Sequence, residues 1–151
     1  MDYYYGALIV SVIFSIIGAI IGIAAYILTA LGLYAIAKNR GMENPWLAWI
    51  PIAQFYIIGA IVKELKFGDS FTIPKMELVL PLGCLAVSIL SWIPVLRWLL
   101  WIAYAVVAVY SLYILYQKYV PEQAVLYTVL SCIGLFPIFI FVIRKKNPVE
   151  M

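Results

Sequence analysis

Histidine is absent from this chain of 151 residues, which removes the commonest metal ligand and the commonest general base. Charge is scarce as well. Asp, Glu, Lys and Arg make up 11% of the residues, against about a quarter in soluble domains. Cysteine occurs twice, as Cys84 and Cys132, each inside an apolar run and with no C-x-x-C between them. That pattern excludes the usual zinc and redox motifs. The pair reads as buried free thiols, with a disulfide between facing helices as the alternative. Asp2 and Asp69 both fall in polar segments, so no intramembrane aspartate pair exists. Ser88, Ser91, Thr128 and Ser131 are scattered without the neighbouring base that a serine nucleophile requires. No catalytic residue, no metal ligand set and no cofactor site is expected, and the chain reads as a non-enzyme. A net charge of +3 is too mild for a nucleic-acid partner.

What the chain has instead is apolar length. Hydrophobic residues account for 67% of it, gathered into continuous runs. About 20 apolar residues in a helix span a hydrocarbon core about 30 Å thick. Lipid offers no hydrogen bonds to the backbone, so spanning segments are helices or closed barrels. Barrel strands would alternate in polarity, and these runs do not. The expectation is an all-α integral membrane protein with one domain over residues 1–151. It is drawn as an antiparallel bundle of five transmembrane helices at about 6–37, 45–62, 76–92, 98–117 and 124–143.

The first run is longer than a bilayer core, at about 48 Å as a helix, so it tilts or projects. It follows Asp2 and the tyrosines Tyr3, Tyr4 and Tyr5, which suit an interfacial belt and not a cleavable signal. The second run opens with Asn44 and Pro45, a cap and a first-turn proline. It is short, so four spans plus a re-entrant helix at 45–62 is the alternative. Lys63 to Glu77 reads as a solvated loop with a turn at Gly68-Asp69. A single helix over 76–117 would be about 60 Å long, which forces a hairpin near Ile93–Arg97. In the last run Gly134 and Pro137 mark a kink, and Arg144-Lys145-Lys146 closes it.

Five spans place Lys38, Arg40, Arg97, Arg144, Lys145 and Lys146 on one side, and Lys63, Lys66, Lys75 and Lys118 on the other. The basic excess puts the N-terminus outside and the C-terminus inside. Trp46, Trp49, Arg97, Arg144, Lys145 and Lys146 are the expected interface anchors, with anionic lipid headgroups as partners of the C-terminal tail.

Two features bear on function. Ser11, Ser15, Gly18, Gly22, Ala25, Thr29 and Gly32 recur at alternating spacings of four and three. Such a seven-residue repeat of small side chains lets another helix approach closely in a left-handed supercoil. The seam docks either a helix of the same bundle or another chain. The second feature is the run Lys38-Asn39-Arg40 to Gln54, where Pro51 weakens the start of a helix and the Gln54 amide lies three residues on. Gln54 either satisfies carbonyls freed by Pro51 or, with Pro51, Thr128 and Ser131, lines a polar pocket. Broken helices mark such sites in transporters.

The N-P-W-x-x-W-I-P-x-x-Q signature over Asn44–Gln54, with its basic joint upstream and Gly134-Leu-Phe-Pro137 before a basic tail, resembles a group of small multi-spanning membrane proteins of Firmicutes-type bacteria. The group is functionally uncharacterised, and it carries Asn more often where this chain has Gln54. The resemblance covers about a third of the chain. It implies a bacterial cytoplasmic membrane and several helices, with no activity attached. The expected function is a non-enzymatic accessory or interaction subunit, bound to a membrane protein partner or to further copies of itself. The alternative is a small carrier or channel for an apolar or zwitterionic solute, acting as a homo-oligomer.

Overall fold

The computed structural model describes residues 2–67 and 71–148. Helix makes up 83% of it, so the class is all-α, with one small two-stranded ribbon.

Helix α1 runs Asp2–Asn39 unbroken, 38 residues. No proline occurs before Pro45, and the rise is about 57 Å. It ends at Gly41, whose φ is +67°. The Met42 amide donates to the Ala37 carbonyl (3.1 Å) and the Gly41 amide to that of Lys38 (3.0 Å). This is a Schellman closure, and it satisfies carbonyls that the helix end leaves open.

From Gly41 the chain turns back along α1 as a short 3-10 helix, Pro45–Trp49. The Trp49 carbonyl accepts a hydrogen bond from the Tyr26 hydroxyl, and Tyr26 lies about 20 Å down the α1 axis from Asn39. Ile50 is extended, with φ −102° and ψ 120°, and reverses the direction. Helix α2 (Pro51–Val62) then climbs back. Its end lies beside the end of α1. Lys118 Nζ donates to the carbonyls of Ile61 (2.8 Å) and Val62 (3.1 Å), while Arg40 Nε donates to the hydroxyl of the adjacent Tyr119 (2.7 Å). Residues 41–63 therefore form a hairpin that leaves and returns to the same end of the molecule.

Strands β1 (Leu65–Phe67) and β2 (Phe71–Ile73) pair antiparallel, with Leu65 opposite Ile73. The segment read as a plain loop thus carries a ribbon, because Leu65 is fully buried in the core and pins it. The Gly68-Asp69 turn lies outside the described residues. The Met76 amide donates to the Lys63 carbonyl (3.0 Å), which brings the chain back to the start of α3 (Met76–Leu90). Helices α2 and α3 touch backbone to backbone. A Cβ at Gly59 would overlap the Met76 carbonyl, so only glycine permits this approach.

Helix α3 descends, turns through Ser91-Trp92-Ile93, and hands over to α4 (Pro94–Tyr119), which climbs about 39 Å. The expected hairpin is there, one turn earlier than Ile93–Arg97, because Pro94 starts the new helix without needing an amide donor.

After a single 3-10 turn at Pro121–Gln123 come α5 (Ala124–Leu130), a π-type turn (Ser131–Leu135) and α6 (Phe136–Ile143). Within the turn Gly134 has φ 104° and ψ 3°, a conformation costly for any residue with a Cβ. The rings of Tyr127 and Phe139 stack with centroids 4.3 Å apart. On a straight helix twelve residues would separate them by about 18 Å. Helix α6 then runs alongside the upper part of α1: Gly32 meets Ile140, and Asn39 Nδ2 donates to the Arg144 carbonyl (3.1 Å). Residues 121–143 are a second hairpin returning to the same end, where a kinked straight helix was expected. Pro137 sits in the first turn of α6 and starts that helix; the bend belongs to Gly134.

By length and composition three helices can cross a membrane: Tyr4–Asn39, Leu96–Tyr119 and Pro121–Ile143. The last of these is the one folded back at Gly134. The core gathers at the end where the hairpins return, with Leu33, Ile36, Ile57, Ile61, Met76, Leu115, Tyr116 and Ile140 nearly or wholly buried. Nine of the ten Lys and Arg residues lie at this end, and Arg97 lies at the other.

Candidate functional site

The seam divides near Ala25. Above that point it is filled from within the chain. Thr29 is buried, and a Cβ on Gly32 would sit 2.6 Å from Ile140 Cγ2 and 3.0 Å from its carbonyl. Below, residues 4–24 are exposed on every face. A Cβ at Gly18 or Gly22 would meet nothing within 4 Å. The hydroxyls of the stripe are spent on their own helix: Ser11 donates to Leu8 (2.8 Å), Ser15 to Ser11 (2.8 Å) and Thr29 to Ala25 (2.9 Å), all at carbonyls. The free half of the seam is therefore a smooth groove of small groups without outward donors. It can take a helix face by close packing and cannot bind by polar recognition.

The four residues proposed as one polar pocket are dispersed. Pro51 starts α2. The Gln54 amide donates to the Ala48 carbonyl (2.9 Å) and so braces the corner between the 3-10 helix and α2, where a carbonyl is freed at the break. Gln54 also lines a cavity of about 210 Å³ with Phe55, Ile58, Leu80, Ser111 and Phe136, where α2, α3, α4 and α6 meet. Thr128 lines a different and more open groove of about 530 Å³ between α4 and α5. Ser131 shares a 2.7 Å hydrogen bond with the Tyr116 hydroxyl. Ser111 and Thr128 both donate to carbonyls in their own helices, at 2.6 and 2.7 Å. Both spaces consequently present apolar walls.

Of the anchors, Trp46 is at the mouth of the first hairpin, its Nε1 donating to Asn44 Oδ1 (3.2 Å). Trp49 is at the deep corner instead, because five 3-10 residues advance about 10 Å and its carbonyl reaches Tyr26. Arg97 is exposed at the opposite end. Arg144 donates to the Phe141 carbonyl (2.8 Å) and stacks on that ring, with Lys145 and Lys146 exposed beyond it. Cys84 and Cys132 are both free thiols, but Cys84 is only half-buried and Cys132 is exposed, where buried thiols were expected.

Sequence reasoning missed Tyr26, and it gave Tyr116 only a packing and belt role and Lys118 only a place in a joint. Each is a polar group inside or at the edge of an apolar run, which was the available signal. What it bonds depended on fold-backs that the run does not announce. Comparison with family models, curated proteins and solved structures gives no match, so function is argued from this chain's own geometry.

Proposed function

We propose that this protein is a non-enzymatic accessory subunit of a bacterial cytoplasmic membrane complex, holding a transmembrane helix of a partner, or of a second copy, against the free half of the α1 seam. One observation carries the reading. The stripe that receives α6 at Thr29 and Gly32 continues below the Gly134 turn at Gly22, Gly18, Ser15 and Ser11, where no helix among the described residues fills it. Lipid tails fill such a groove less well than a helix face, since association in bilayers is driven by packing of small residues. The test is the size of the complex in mild detergent, in the wild type and in Gly18→Ile and Gly22→Ile. The reading expects the complex to dissociate, and it is lost if the size stays the same.

In the membrane we read α1, α3 and α4 as the crossings, with α3 short for one at 15 residues, about 22 Å. The hairpins 41–63 and 121–143 are read as re-entrant from one side, since the length that would let 121–143 span is spent on its fold-back at Gly134. That arrangement changes the charge count from six against four to nine basic residues against one. The excess places the hairpins and the C-terminus in the cytoplasm and the N-terminus outside. Labelling of single cysteines at Tyr5 and Lys145, in a chain with Cys84 and Cys132 replaced by serine, tests it: a membrane-impermeant reagent added to whole cells should reach only the first.

The cavity beside Gln54 favours a second reading, a carrier for an apolar solute. It expects Gln54→Leu to change flux in reconstituted vesicles. Unchanged flux for every solute tried would remove it.

A further inference from the structure

The ends of α1, α2, α4 and α6 converge on the basic face, and each is the negative end of a helix dipole. Cations there are expected on that ground alone. Lys118 is accounted for in this way, since its ammonium caps α2 through Ile61 and Val62. Its neighbours are not. Arg40 uses Nε on the Tyr119 hydroxyl and lies 5.3 Å from that ring, which leaves both Nη groups without a bond among the described residues. Lys63 follows α2 in a left-handed conformation, φ 68°, and its ammonium has no partner among the described residues. Arg40 and Lys63 both repel the Lys118 ammonium, and Glu64 attracts it. Glu64 is the nearby acid, and it is paired to Lys66 at 3.2 Å.

From this convergence of three cations we infer a binding site for the phosphate of an anionic phospholipid, held by Arg40, Lys63 and the remaining N–H of Lys118. Charge complementarity selects an anion. A planar guanidinium edge beside two ammonium groups suits phosphate oxygens. The position selects a lipid over a soluble phosphate: the cluster lies where the crossing helices α1 and α4 end, at headgroup depth. Tyr119 orients the guanidinium and contributes no charge. The inference rests on the membrane placement proposed above and is independent of what fills the α1 seam.

The experiment uses the full chain in nanodiscs of phosphatidylcholine containing a minor share of phosphatidylglycerol, with retained lipid counted by native mass spectrometry after release. Recovery of the protein in the discs tests the membrane placement, and the identity of the retained lipid tests the site. Wild type should retain phosphatidylglycerol preferentially. K63Q and R40Q should each weaken that preference about fivefold, whereas the tail double variant K145Q/K146Q should leave it nearly intact. Lys63 bonds within the chain through its backbone alone, and its side chain has no partner among the described residues, so K63Q reports on the site with the backbone bonds kept. A preference unchanged in K63Q and R40Q, or lost only in the tail variant, would overturn the inference. So would binding of inorganic phosphate alone, Arg40-dependent, with no lipid preference, since the site would then serve a soluble anion.

Discussion

Along α1, residues 25–39 and residues 4–24 carry one repeat of small side chains and meet opposite surroundings. The upper stretch is packed against α6 and the 3-10 helix, and Thr29, Ala30 and Leu33 are nearly or wholly buried there. The lower stretch, about 30 Å of helix, is exposed on every face. The boundary is set outside α1, by Gly134, because α6 can begin only where the second hairpin turns. A seam therefore records that a helix is meant to approach closely. How far the chain's own helices reach along it depends on a glycine a hundred residues away.

The sharpest way to break this contrast is to crowd the packed half and its neighbours. Gly59→Ala should cost about 3 kcal/mol or more, since its Cβ overlaps a backbone carbonyl that cannot rotate away. Reversible unfolding in detergent micelles reads that loss. Gly32→Ile comes next, at about 1–3 kcal/mol, because Ile140 can yield part of the distance by moving its side chain. A loss below about 0.5 kcal/mol would mean that α6 does not rest on the seam.

Much of this was legible in the residues and some was not, for physical reasons. Run lengths and continuity point to the helical class, since a run long enough to span lipid has no other choice for its backbone there, and the chain is mostly helical. Pro94 and the impossible length of one helix over 76–117 locate the α3–α4 hairpin. The shortness of 45–62 already suggested a segment that does not run straight through, and Trp49 on Tyr26 shows the chain folding back there. The second hairpin stayed hidden because twenty apolar residues have one composition whether they run straight or fold back. Gly134 read as a kink, since a glycine's φ is not written in its identity. The same blindness explains the charge count. Lys63, Lys66, Lys75 and Lys118 join Lys38 and Arg40 only when the first fold-back is known, and the second then brings Arg144, Lys145 and Lys146 back to that same end. The polar pocket failed for a related reason: Thr128 and Ser131 share a face of a helix with each other, and neither faces the cavity beside Gln54.

A smaller effect tests the boundary itself. Gly134→Ala should destabilise by about 1–2 kcal/mol, with no contact to explain it, since a Cβ there meets no atom within 4 Å. The loss is purely of backbone conformation. If the variant is as stable as the wild type, the left-handed turn is not what folds α5 onto α6, and the lower limit of the packed half needs another cause.

The smallest expected change falls on the free half. Gly18→Ile and Gly22→Ile each add four carbons where a Cβ meets nothing within 4 Å among the described residues, so the isolated protein should unfold within about 0.5 kcal/mol of wild type. The same substitution type at Gly32, in the same stripe of the same helix, costs several times as much. That difference separates a seam serving the fold from one serving an assembly. If the two glycine variants destabilise the lone chain, residues 4–24 touch the bundle after all and the seam is internal throughout. If they leave it untouched while abolishing a complex, the lower half of α1 is a surface for another helix, and the short reach of α6 is what leaves it open.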